Sequence, residues 1–156
     1  MRPLHPAVVH FPVACWVLAA LLDATTLVGL DVTLGRAEPA ATAAFLVWTG
    51  LAFAVVAVAA GLADYTRLPT AVRDSSALTL HVGAMAVAFC SFLVAALLRP
   101  RLGPAPALVV SLEVLGTVAL VIGGHYAASV VFSVLPSVHA SRDAPSDLAT
   151  FKESKP

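Results

Sequence analysis

Formal charge is scarce in this chain. Nine Lys and Arg face nine Asp and Glu among 156 residues, so charged residues make up 12% and the net charge is zero. A soluble domain usually carries about 25%. Balanced charge gives no pull on nucleic acid or on an acidic partner. The chain has no basic run, no Gly-rich phosphate loop and no repeat at solenoid spacing. Cysteine is nearly absent. Cys15 and Cys90 form no CxxC pair and lie at different depths of separate apolar stretches, which argues against a disulfide. No nucleophile–base pair stands out and no large polar domain exists to hold a substrate, so an enzyme is the least favoured class.

What replaces charge is apolar length. The chain is 60% hydrophobic with a mean hydropathy of +0.93. Thr42 to Ala63 and Ala77 to Leu98 carry no formal charge, Ala7 to Leu30 carries only Asp23, and Ala105 to Leu135 only Glu113. A bilayer core takes about 20 apolar residues per helix. Four such stretches predict an all-α integral membrane protein, with the lipid bilayer as its first partner. The spans are expected near 7–30, 42–63, 77–98 and 107–132, inside a membrane domain of residues 1–135. A polar tail, 136–156, reads as disordered. Met1-Arg2 and the apolar run behind it could imitate a signal peptide. The run is too long, and Asp23-Ala24-Thr25 is a poor cleavage site, so the first span is read as retained.

The connections carry turn formers: Gly35, Glu38 and Pro39; Arg67, Pro69, Arg73 and Asp74; then Arg99 to Pro106. Short connections force neighbours antiparallel, which predicts an up-down four-helix bundle. Small residues four apart, such as Gly50 and Ala54 or Ala57 and Gly61, either let helices approach closely or reflect only an alanine-rich composition. Face A, the end holding the N-terminus, has Arg2, Arg67, Arg73, Arg142, Lys152 and Lys155; face B has Arg36, Arg99 and Arg101. Six against three puts face A, and both termini, in the cytoplasm.

In lipid a polar residue is expensive, so the few present inside the spans are the main guide to function. His10 and His81 fall near face A at the starts of the first and third spans. His125 lies roughly 27 Å along the fourth span from Ala107, near face A again. Asp64 closes the second span at the same end. Facing histidines in a bundle are a usual way to hold haem b or a transition-metal ion. His10, His81 and His125 are therefore the candidate cofactor or metal ligands, with Asp64 as the acceptor for a ligand's second ring nitrogen. A hydrogen-bonded structural layer explains the same pattern. His5, beside Pro6, reads as solvated, and His139 has no role. Met85, one turn after His81, reads as core filler before axial ligand.

Asp23 and Glu113 share a depth towards face B. They either meet in one layer on a proton path, or each bonds a nearby hydroxyl such as Thr25, Thr26 or Ser111. The hydroxyl partners are favoured, because nothing in the sequence fixes the rotation of either residue about its helix axis.

The opening His5-Pro6-Ala7-Val8-Val9-His10-Phe11-Pro12, with Leu22-Asp23 after it, resembles a bacterial membrane family known as domain of unknown function 2231. Gly61-Leu62-Ala63-Asp64-Tyr65, then His81, then Gly123-Gly124 extend the similarity over about Leu4 to Leu135. The resemblance implies four membrane helices in a bacterial inner membrane. Relatives joined to iron–sulfur or other redox domains imply electron-transfer surroundings. His10 and His81 match their motifs. After Gly124 the chain departs: it reads His125-Tyr126-Ala127-Ala128-Ser129 where the family commonly continues Leu-Val-Tyr. The leading expectation is a redox accessory holding haem or a metal in a histidine layer, with a redox membrane complex as its candidate partner. A cofactor-free structural or assembly subunit and a proton or small-solute carrier compete with it.

Overall fold

Proline decides where the first long helix starts. Pro12 has no N–H to give the carbonyl of Val8, and its ring crowds that carbonyl. The computed structural model, which describes residues 5–30, 38–103 and 105–142, breaks the helix there: α1 spans His5–Val8 and α2 His10–Leu27. Pro39 opens α3, Pro39–Tyr65, at its first position, where a missing N–H costs nothing. A single turn, α4, Thr70–Arg73, precedes α5, Ser76–Leu102. Ser75 caps α5, its hydroxyl accepting from Leu78 N–H at 3.3 Å. Gly103, at φ 87°, ends it in a conformation that favours glycine.

The last helix, α6, runs Ala107–Arg142, so the expected end near 132 falls inside it. The rest of the polar tail, 143–156, lies outside the described residues, as do Arg2 and Arg36. His10–Leu27, Pro39–Tyr65, Ser76–Leu102 and Ala107–Ser129 are each long and apolar enough to cross a membrane.

The four long helices form one bundle in which α2 packs on α3 and α6, and α5 on α6 and α3. Alternation of direction follows from the pairs that meet. His5 at the start of the chain reaches Asp64 at the end of α3, while Asp23 near the end of α2 reaches Arg99 near the end of α5. The interior is narrow and lined by small residues: Ala19, Ala43, Ala54, Ala88, Ala95 and Ala96 are all buried. Large apolar side chains point outwards instead, among them Leu21, Phe45, Val58, Val82, Leu97 and Val121. A helix surface apolar all round is what lipid requires.

The centre is aromatic. Trp16 stacks on Phe92 at 4.7 Å between centroids, meets Phe89 edge-on, and donates its indole N–H to the Val47 carbonyl at 3.3 Å. Gly50 makes this approach feasible: a Cβ there would lie 2.5 Å from Trp16 Nε1. Gly116 does the same for Phe92. The small residues of the Gly50–Ala54 pair thus pack as close-approach positions, whereas Ala59 and Ala63 are exposed. Trp48, by contrast, is half exposed on the outer surface. Both cysteines are free thiols.

Candidate functional site

Most of the residues that carry the motif resemblance gather at face A, Asp23 alone lying in a cluster at face B. His5 is held three ways. Its main-chain N–H donates to Asp64 Oδ2 at 3.0 Å, its Nδ1 lies 2.8 Å from the Ala57 carbonyl, and its ring rests on Gly61. A Cβ on Gly61 would come within 3.0 Å of that Nδ1, so glycine there makes room for imidazole. Asp64, with Arg67 at 3.8 Å, anchors the segment.

His81 on α5 is held likewise. Its Nδ1 lies 2.9 Å from the Gly123 carbonyl of α6. Gly123 has Met85 pressed onto it, which fits the filler role expected for that methionine. His5 and His81 meet edge-on, with centroids 6.3 Å apart and planes 83° apart.

This differs from the expected set of ligands. His10 is exposed, and so is His125, whose ring contact is with its neighbour Tyr126. His5, read from sequence as solvated, stands where His10 was expected. Among the described residues no group of three His, Cys, Asp or Glu is arranged to hold a metal ion. Asp64 reaches the main chain of His5. The signal that could have singled out His5 was Pro12: the break ahead of it sets off α1, which packs on α3, as a separate turn before α2.

A residue 1–139 match to the family model DUF2231, described as "Predicted membrane protein", covers the bundle and both histidines. The chain belongs to the DUF2231 family. No curated relative and no solved structure matches it. In DUF2231 terms, the opening His-Pro, the Gly-Leu-Ala-Asp-Tyr segment, His81 and the Gly-Gly pair are parts of one place in the fold. They supply two rings, the Gly123 carbonyl that holds His81 and the Gly61 gap that seats His5, whose own carbonyl partner is Ala57.

The chemistry open to this arrangement follows from the tautomer. A carbonyl can only accept, so each Nδ1 must carry the hydrogen. In the neutral ring Nε2 then keeps its lone pair, the state required of a metal ligand whose other nitrogen is fixed by the main chain.

At face B stands a second polar cluster. Arg99 sends Nη1 to Asp23 Oδ1 at 3.1 Å and Nη2 to both Asp23 Oδ2 and Glu113 Oε1, the last at 2.7 Å. Both carboxylates are fully buried, and the Arg99 side chain is only 10% exposed. The hydroxyls expected to serve the carboxylates go elsewhere. Thr25 and Thr26 donate to the Leu22 carbonyl, and Ser111 to that of Ala107. Arg99, counted from sequence as a face-B surface charge, is the partner that was missed.

Proposed function

We propose that this membrane protein holds a transition-metal ion, free or as haem iron, between His5 and His81 at face A, and serves as an electron-transfer accessory. One observation carries the reading: two imidazoles from different helices, each fixed through Nδ1 by a main-chain carbonyl, meet with both Nε2 lone pairs uncommitted. An imidazole nitrogen binds such metals at about 2.0–2.1 Å, which places each ring centroid about 3 Å from the ion. Two rings on one ion are then at most about 6 Å apart. The observed 6.3 Å lies at that limit. Imidazole suits zinc, copper, nickel and iron. When bound, a copper or iron centre supplies one-electron chemistry. The protein's own part is to fix both rings, through Ala57 and Gly123, and to seat His5 through Asp64.

A second reading rests on the same bonds. Each ring already ties two elements together, α1 to α3 and α5 to α6, as a cofactor-free structural or assembly subunit would need.

Visible spectra and metal analysis of the purified protein, with and without added haem, copper or iron, separate the two. A bound centre should give stoichiometric metal or a Soret band. His5→Ala and His81→Ala should each remove it, while His10→Ala and His125→Ala leave it intact. Protein that takes up neither haem nor metal overturns the first reading and leaves the structural one.

A further inference from the structure

The Asp23–Arg99–Glu113 cluster plays no part in the site at face A. His81 and Arg99 stand roughly 27 Å apart along α5. Between them lies the apolar centre of Trp16, Phe89 and Phe92.

The charges of the cluster do not balance. Two carboxyls share one guanidinium. Arg99 uses both terminal nitrogens, yet Glu113 Oε2 and Arg99 Nε remain buried without a hydrogen-bond partner. No second cation of the described helices faces them. Arg101 is exposed and donates to the Leu97 carbonyl. α3, which packs on α2, carries no charged residue from Pro39 to Ala63, and Glu38 before it is exposed. On α6, the Thr117 hydroxyl donates to the main-chain carbonyl of Glu113 and leaves the carboxyl unserved. With both carboxyls ionised, the cluster holds one uncompensated negative charge in a lipid-embedded interior. Such a charge is neutralised sooner than tolerated.

We propose that this cluster is a proton-binding site, in which Glu113 holds one exchangeable proton on Oε2 while Asp23 stays ionised against Arg99. The assignment follows from the bonds. Asp23 receives both arms of the guanidinium fork, the strongest arrangement for a carboxylate, whereas Glu113 receives one. Proton exchange runs to face B. Asp23 and Arg99 are about 5–6 Å from the ends of their helices and Glu113 about 9 Å from the start of α6, while the aromatic centre closes the route to face A.

Infrared spectroscopy of the full-length protein in lipid nanodiscs tests this at neutral pH through the C=O stretch of a protonated carboxyl. The wild type should show one such group, shifting in heavy water. Glu113→Gln should lose it. Asp23→Asn should lose it as well, because Glu113 then ionises against Arg99; a proton held by burial alone would persist in that variant. Arg99→Met should double the band. Should Arg99→Met fail to fold, the two carboxyl variants decide alone. A wild type without the band, or a band kept at full strength in either carboxyl variant, overturns the proposal. Absence of the band together with sodium-dependent thermal stability would assign the missing charge to a bound cation instead, and overturns it equally.

Discussion

Replacing Gly50 by alanine tests the packing of the bundle centre more directly than any change of charge. The new Cβ would lie 2.5 Å from Trp16 Nε1 and 2.6 Å from its Cδ1, against a normal separation of about 3.5–4.0 Å. Trp16 has nowhere to retreat. It is 3% exposed, stacked on Phe92, edge-on to Phe89 and hydrogen-bonded to Val47. Overpacking of this kind costs about 1–3 kcal/mol. Alanine also gains about 1 kcal/mol of helix propensity over glycine, so Gly50→Ala alone should lower stability by about 0–2 kcal/mol. Gly83, inside α5, isolates the clash, since a Cβ there meets nothing within 4 Å. Gly50→Ala should therefore be about 1–3 kcal/mol less stable than Gly83→Ala, the propensity gain cancelling. Reversible unfolding in mixed micelles measures the difference. In a Trp48→Phe background, Trp16 becomes the sole tryptophan and its emission reports the disturbed stack. A double-mutant cycle of Gly50→Ala with Trp16→Leu should show coupling of about 1 kcal/mol or more, because the smaller side chain removes the overlap. Equal stability of the two glycine variants, with zero coupling, would refute the packing argument.

Arg99→Ala should cost about 3–5 kcal/mol by leaving two buried carboxyls without their cation. The deficit should shrink as pH falls, since the proton that Asp23 must take up once its cation is gone, beside an already protonated Glu113, costs less at low pH; unfolding followed across pH checks the sign. Asp64→Leu removes the acceptor of the His5 N–H. Faster amide exchange confined to residues 5–9 is expected, and unchanged exchange would mean that the bond does not hold α1 down. Topology follows from charge: reporter fusions at Ser75 and the C-terminus should behave as cytoplasmic and one at Glu38 as external. An external C-terminus would reverse the orientation.

Apolar length alone, with four nearly uncharged stretches and short connections, determined the class of this protein, the number of its spans and their alternation. Lipid admits few solutions for such a chain, since main-chain polar groups must be satisfied within each helix. Depth was legible as well, because residues advance about 1.5 Å each along a helix. Counting therefore placed His81 and Asp64 at one face, and Asp23 and Glu113 at the other. Rotation about the helix axes was not legible. The spans are apolar on every side, so no stripe of hydrophobicity tells inside from outside. Only tertiary packing turned His10 and His125 outwards, brought His5 against His81, and left Trp48 on the surface. The same limit hid Arg99. As one of two arginines beside a helix end it reads as a surface charge, and its burial exists only because α2 and α6 each present a carboxylate to it at one depth. Sequence fixes how deep a polar group lies; which neighbours it meets depends on how the helices are turned towards one another, and that is decided by glycine-sized gaps such as those at Gly50, Gly61 and Gly123.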